Sequence, residues 1–174
     1  MAAIMIALII SCSGRRPNLG LLEEGVRSIL ELPAYEQIYR NIIYVDRERS
    51  FLVFRTMHAQ VLFSIEIRVQ AGIDLSRGFR LSRNDDRSVT VALPEAEILL
   101  VDADESTIHQ YFAKSSGGSV GRLDYYDEIE RIKGEIEKDA IRREILTKAE
   151  SNAQNLILQL LRGAGIEEVR FVTF

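Results

Sequence analysis

The chain has 174 residues, a net charge of -4 and a sequence pI near 5.3, and this acidic balance argues against a nucleic-acid-binding protein. Hydrophobic residues make up 47% of the chain and charged residues 28%, which is typical of one globular domain with a sizeable core. A single cysteine excludes a disulfide within the chain.

The N-terminal segment joins nine consecutive apolar residues, 2–10, to the lone cysteine, Cys12. An apolar run that ends in small residues and a cysteine is typical of a bacterial lipoprotein signal, which is cut before the cysteine that then carries lipid. We predict a signal segment over residues 1–12, lipid attachment at Cys12, and a chain anchored in the cell envelope, facing the periplasm or the exterior. The alternative is a buried N-terminal strand with an inert cysteine. A spanning helix is disfavoured because Arg15 and Arg16 end the run before about twenty residues.

The next segment, residues 13–20, is polar and contains glycine and proline, which predicts a short tether. A single folded domain then covers residues 21–174. It begins with a short helix predicted over residues 21–32, which Pro33 ends.

Alternating apolar and polar residues then predict a sheet. Strand character is seen over residues 38–45 and 51–54, with a charged turn predicted between them at residues 46–49. Residues 61–71 alternate strictly, apart from Leu62, which predicts a strand with one face on the core and one in water. The apolar set of this strand comprises Val61, Phe63, Ile65, Ile67, Val69 and Ala71. Such a half-solvated sheet is more often antiparallel than parallel.

Three shorter elements follow. A hairpin is predicted between residues 79–82 and 88–93, with Pro94 ending its second strand. Another short strand is predicted over residues 97–101. After it, Asp104 is expected to cap a short helix that runs through Tyr111.

The C-terminal third predicts one long helix over residues 124–161, with Gly134 as a site for a kink. Its apolar residues step by three or four, except for one step of five between Ala140 and Ile145. Glycines at 163 and 165 end this helix, and a last strand over 167–174 returns to the sheet. The predicted fold class is therefore α+β, an antiparallel-rich sheet packed by a long C-terminal helix and a short terminal strand.

Two segments resemble the bacterial proteins of domain of unknown function 4230 (DUF4230). The family pairs an Ala-Gly-Ile-Asp-Leu-Ser segment with a later strand, a proline and an isoleucine-rich continuation. Here these are residues 71–76 and 89–98, and the Ala-rich helix that follows resembles residues 145–161. The resemblance covers about residues 26–174.

This resemblance implies a modest set of expectations. Family members are commonly anchored by an N-terminal hydrophobic segment, and the family has no assigned enzymatic activity. The motif residues have structural roles in this interpretation. Gly72 supplies a turn or bulge, Asp74 bonds nearby backbone amides, and Pro94 breaks a strand.

The polar residues predict no metal site. His58 and His109 are the two histidines, and neither has a cysteine or a second histidine at ligand spacing. Asp102, Asp104 and Glu105 lack the Asp-x-Asp-x-Asp-Gly spacing of a calcium loop.

Enzyme motifs are equally absent from the sequence. Residues 115–119 are rich in Ser and Gly but lack the Lys-Ser/Thr of a phosphate-binding loop. No serine nucleophile elbow is present. We predict no catalytic residues, no cofactor and no enzymatic activity, and we interpret the apolar runs 51–54 and 61–63 as core.

Two functions remain. The first is a non-enzymatic, membrane-tethered envelope lipoprotein that acts as an interaction module, binding a protein partner or itself through the helix at 124–161. Ile129, Ile132 and Ile136 would then either cover the sheet edge or form a self-association seam. The alternative is a carrier or sensor of a small apolar or lipid-like ligand held between sheet and helix, which an apolar cavity would favour.

Overall fold

A computed structural model describes residues 19–27, 31–51, 54–116 and 122–174. These residues form two three-stranded sheets and three α-helices, which confirms the predicted α+β class. The elements are α1 (Leu19–Arg27), β1 (Glu31–Phe51), β2 (Phe54–Asp74), β3 (Arg80–Arg83), β4 (Ser88–Leu93), β5 (Glu97–Ser116), α2 (Arg122–Arg142), α3 (Ile145–Gly163) and β6 (Glu168–Thr173). A 3-10 turn over Leu75–Arg77 follows β2.

The larger sheet has the antiparallel strand order β1-β2-β5. The alternating side chains of β2 that begin at Val61 and continue through Ala71 are buried, as predicted, while Arg68 is exposed and Glu66 half-buried. We call the side of this sheet that carries Phe63 and Ile65 the inner face, because those side chains belong to one core with Ile129 and Ile136 of α2. We call the opposite side the outer face.

The strands of the larger sheet are much longer than the sequence predicts, at 21, 21 and 20 residues. The predicted charged turn at residues 46–49 is wrong, because β1 continues to Phe51, which pairs with Phe54. Charged residues are tolerated there because Asp46 and Glu48 point to the exposed outer face. On the inner face, Arg47 is near enough to Glu128 of α2 to lower the pKa of that carboxyl group, after the larger effect of Arg131.

The predicted helix over residues 21–32 is too long. The helix α1 spans Leu19–Arg27, and Pro33 lies inside β1 instead of ending a helix. Proline is compatible with this place because β1 is at the edge of the sheet and has an irregular register between Pro33 and Tyr35.

The predicted helix after Asp104 is also wrong, because this region belongs to β5. The strand there carries a large bulge, in which the four residues 105–108 lie opposite Ile65 alone. Asp104 accepts a hydrogen bond from the Ser106 backbone N–H at 3.0 Å, which is the bonding pattern of an Asx turn. The Thr107 hydroxyl accepts one from the Glu66 N–H at 2.9 Å, replacing a lost ladder acceptor.

The predicted single helix over residues 124–161 is broken into α2 and α3. The break lies at Arg143 and Glu144, where Glu144 is left-handed with φ 62°. Gly134 lies within α2 and does not interrupt it. The break lets Ile145 continue the buried stripe that the five-residue step after Ala140 would have lost.

The second, smaller sheet has the order β3-β4-β6. The predicted hairpin is confirmed as β3 and β4, and β4 ends before Pro94 as expected. The last strand is confirmed, but it pairs in parallel with β4 and does not return to the larger sheet. One continuous sheet was therefore the wrong expectation.

The helix α3 connects the two sheets, because its buried stripe runs along both. Ile145 and Ala149 pack in the core of the larger sheet. Ala153, Ile157 and Leu161 pack in a second core with the smaller sheet and α1.

Candidate functional site on the outer face

The outer face of the larger sheet carries an exposed apolar patch. Four side chains on its two edge strands are well exposed, Ile42 (68%), Tyr44 (52%), Tyr111 (55%) and Phe112 (44%). Leu62 of the central strand lies between Tyr44 and Phe112 in the register. We call these five residues the apolar patch.

A bulge in β5 builds one side of this patch. Leu62 pairs with Phe112 and Phe63 with Gln110, so the register skips Tyr111. The Tyr111 hydroxyl lies 3.2 Å from the Ser64 hydroxyl, and this hydrogen bond holds its ring over the outer face. Two adjacent aromatic residues, Tyr111 and Phe112, therefore reach the same side of one strand, which a regular strand does not allow.

Histidine extends the aromatic surface. The His109 ring stands edge-on to Tyr111, with 4.7 Å between ring centroids. His109 pairs in register with Ser64, which in turn pairs with Ile42. The exposed His109 is thus part of the rim of the patch and has an aromatic neighbour.

A charged row borders the patch on the side of the bulge at residues 105–108. Arg40, Glu66 and Asp104 are register partners across the three strands. Arg40 forms an ion pair with Glu66, and the hydrogen bond to Glu66 raises the pKa of Arg40. Hydrogen bonds from Ser106 lower the pKa of Asp104. This border therefore carries positive charge on β1 and negative charge on β5.

The opposite border has the reverse order of charge. Asp46, Gln60 and Lys114 are register partners there, so the carboxylate is on β1 and the ammonium on β5. Asp46 accepts hydrogen bonds at 3.1 Å from the Gln60 amide and from the Tyr44 hydroxyl. These bonds, chiefly the one from Gln60, lower the pKa of Asp46.

The same carboxylate also contacts the second histidine. The His58 Nε2 atom lies 3.2 Å from Asp46 Oδ1. Burial, followed by the bond to Asp46, raises the pKa of Tyr44. Asp46 thus orients Tyr44 at the edge of the patch.

Some residues considered from sequence lie outside the described residues. These are Cys12, residues 52–53 and residues 117–119 of the Ser/Gly segment. Asp85 lies in the hairpin loop, where it accepts a hydrogen bond from the Arg87 N–H at 2.9 Å. Within the described ranges, no group of three metal-ligating side chains comes together.

The isoleucine stripe of α2 lies against the sheet. Ile129 and Ile136 are buried in the core with Phe63 and Ile65, and Ile132 packs beside them. The stripe therefore covers the inner face of the larger sheet, where a covering of the sheet edge was one of the two roles expected. No helix in the described part of the chain is long and apolar enough to cross a membrane.

The apolar patch was not predicted from the sequence, although part of its signal is local. Residues 42–45 are apolar at four consecutive positions, which places apolar side chains on both faces of β1. Ile43 and Val45 are buried on the inner face, and Ile42 and Tyr44 remain exposed on the outer face. The other half comes from β5, where strand register alone brings Phe112 beside Leu62.

Comparison with known proteins gives one match. The family model described as protein of unknown function (DUF4230) matches residues 24–171, nearly the whole chain. No curated protein and no solved structure matches the chain.

Proposed function

The chain belongs to the DUF4230 family of proteins of unknown function, and we propose that it is a non-enzymatic interaction module tethered to a membrane of the cell envelope through lipid on Cys12. The observation that carries the interaction role is the apolar patch. Isolated exposed apolar residues are common, but a contiguous patch with a polar rim marks a binding surface.

The composition of the patch supports a protein as its partner. Tyrosine, phenylalanine and arginine are enriched at protein interfaces, and aromatic anchors carry a large share of binding energy. Here Tyr44, Tyr111 and Phe112 provide the anchors, and Arg40 lies in the next row. The long antiparallel strands hold these side chains on a regular scaffold, so little ordering is required on binding.

Support for the tether comes from the sequence. The apolar run 2–10 followed by Cys12 is of signal length, and lipid gives a function to the lone cysteine. One acyl chain binds a membrane only marginally, so a stable tether requires more than one chain on the mature protein.

The second candidate, a carrier or sensor of a small apolar ligand, has less support. Its ligand would lie between the larger sheet and the helices. Phe63, Ile65, Ile129 and Ile136 pack in that layer, with Phe63 and Tyr125 in ring contact. An open groove of about 290 Å³ does lie beside α3, lined by Ala34, Asn152, Asn155, Leu156 and Gln159, but three of these five residues carry a polar amide.

Photo-crosslinking in the native cell tests the interaction role. A photoreactive amino acid at position 42 should give a defined adduct, because Ile42 is the most exposed side chain of the patch. The matched control is position 82, since Ser82 is exposed on the edge strand β3 of the smaller sheet. Adducts at position 42 and none at position 82 are expected. Equal adducts at both positions, or none at either, would overturn the interaction role.

Mass spectrometry tests the tether. The chain expressed from its own start should be recovered from the membrane fraction without residues 1–11 and with added lipid mass on Cys12. A Cys12→Ser variant should leave the membrane fraction. An unmodified Cys12 in a chain that retains residues 1–11 would show that the tether is wrong.

A further inference from the structure

We infer that the occupant of the apolar patch is a second copy of this chain, packed outer face to outer face about a two-fold axis perpendicular to the strands. This inference rests on the proposed function, in which the outer face is the binding surface. A two-fold interface must be complementary to itself, and the rows of the outer face meet that condition.

The apolar rows come first. The axis lies between the row that contains Ile42 and the row that contains Tyr44. Rotation about it places β1 over β1 of the second copy, with Ile42 against the partner copy's Tyr44. On β5 it places His109, the register partner of Ser64, against Phe112 of the second copy, with the skipped residue Tyr111 near the axis. The central strands meet at Leu62 and Ser64, so the apolar patch covers itself. Aligned sheets pack in this way about 10 Å apart.

The two charged borders then meet each other. The row of Arg40, Glu66 and Asp104 falls on the row of Asp46, Gln60 and Lys114 of the second copy. Arg40 therefore faces Asp46, and Asp104 faces Lys114. Opposite charges meet on both edge strands, and the central pair, Glu66 with Gln60, brings no like charges together.

The other face-to-face two-fold arrangement is less favourable. An axis parallel to the strands places β2 over β2 at equal height, so Glu66 meets Glu66 and Arg68 meets Arg68. Like charges in direct opposition across an interface disfavour it. The border charges of the edge strands are paired under either axis, so the like charges on β2 are what favour the perpendicular axis.

The area available predicts a weak dimer. The overlapping rows run from Ile38 to Glu48 on β1, about 35 Å at the rise of a strand, and three strands span about 15 Å with their side chains. This gives about 500 Å² per copy, at the low end for specific interfaces. A shared membrane raises the local concentration of the chain and favours such pairing.

Cysteine crosslinking tests the geometry in the full-length chain. An Ile42→Cys variant in a Cys12→Ser background carries one thiol, and a short bismaleimide should join two copies because Ile42 of each lies near the two-fold axis. Ser82→Cys in the same background is the matched control and should stay monomeric. A Lys114→Glu substitution added to Ile42→Cys should lower the crosslinked fraction at least about fivefold by facing Asp104 of the second copy, whereas Lys114→Arg should preserve it.

The outcomes separate this inference from the proposed function. A crosslinked dimer of the Ile42→Cys variant that Lys114→Glu removes supports the second copy as the occupant. An Ile42→Cys chain that stays monomeric, while position 42 crosslinks a different protein in cells, overturns self-pairing and leaves the interaction role in place. Failure of both experiments overturns both. If Lys114→Glu leaves the crosslinked fraction unchanged, and circular dichroism shows that both variants are folded, the proposed charge pairing and its axis are contradicted.

Discussion

Phe63 of β2 and Tyr125 of α2 place their ring centroids 5.3 Å apart at an interplanar angle of 47°. Phe63 is fully buried at the centre of the inner face. This ring pair joins the helical layer to the larger sheet, and it lies on the side of β2 opposite to the apolar patch. The core and the candidate site therefore use alternate residues of the same strand.

Removing the Phe63 ring should destabilise the domain strongly. Phe63→Ala leaves a cavity in the core and should lower the free energy of unfolding by about 3–5 kcal/mol. Ile42→Ala, on the exposed side of the same sheet, should change it by less than about 1 kcal/mol in the monomer. Urea denaturation measures both, and similar losses for the two variants would contradict the assignment of the faces.

Gly72 should tolerate no side chain. A Cβ atom there would lie 2.1 Å from the Leu32 carbonyl oxygen and 2.8 Å from Leu99 Cδ1. This close approach beside the bulge at Pro33 explains the glycine of the Ala-Gly-Ile-Asp-Leu segment. Gly72→Ala should lower the free energy of unfolding by about 1–3 kcal/mol or more.

Gly134 supplies the matched control for that substitution. It lies inside α2, and nothing described lies within 4 Å of an added Cβ. Gly134→Ala should raise the free energy of unfolding by about 0.5–1 kcal/mol, because alanine loses less backbone entropy in a helix. Thermal unfolding of the two variants should move in opposite directions, and equal shifts would refute the close approach at Gly72.

The junction of the two helices carries a strained residue. Glu144 has φ 62°, and a left-handed non-glycine residue costs roughly 1–2 kcal/mol. Glu144→Gly should therefore stabilise the domain by about 1 kcal/mol, whereas Lys138→Gly inside α2 should destabilise it by a similar amount. Chemical denaturation of both variants measures the difference. A loss of stability in Glu144→Gly would mean that α2 and α3 are joined in another conformation.

Asp104 should make the stability of the bulge at residues 105–108 depend on pH. Hydrogen bonds from Ser106 lower the pKa of this carboxyl group in the folded state. Its contribution to stability is therefore present above the unfolded-state pKa and is lost as pH falls through the lower folded-state pKa. Ser106→Ala should raise the pKa of Asp104 toward its ordinary value, which NMR titration of the carboxyl carbon can follow. An unchanged titration would show that the Ser106 hydroxyl does not hold this carboxylate.

The elements predicted correctly are those with local signals. The alternation over residues 61–71 predicts which face of the strand is buried, whatever the neighbouring strands are. The hairpin of β3 and β4 is predicted by turn residues between two strand-like runs. The missed elements depend on distant partners. Residues 46–49 form a strand because β2 pairs with them, although their charges resemble a turn.

Two of the wrong predictions concern residues that are compatible with more than one type of local structure. Asp104 accepting from the backbone two residues on is found in a helix cap and equally in an Asx turn at a bulge. Pro33 ends helices but is also compatible with an edge strand. In contrast, the break between α2 and α3 was visible in the sequence, since the step of five from Ala140 to Ile145 interrupts the helical rhythm.

The candidate site was the least predictable part. Two of the five residues of the apolar patch come from β1 and two from β5, and the sequence places Tyr44 and Phe112 far apart. Only the register of both strands against Leu62 brings them together. The skipped position at Tyr111 depends on the same register, so no local pattern reveals it.

Sedimentation velocity of the full-length Cys12→Ser chain over a range of concentrations shows whether the outer face binds a second copy. We expect a reversible dimer that the Tyr44→Lys substitution abolishes. The control is Ile141→Lys, which changes an exposed apolar residue of α2 (44% exposed) and should leave the dimer unchanged. A chain that remains monomeric throughout the range, or a dimer that Tyr44→Lys does not weaken, would contradict self-pairing through the apolar patch.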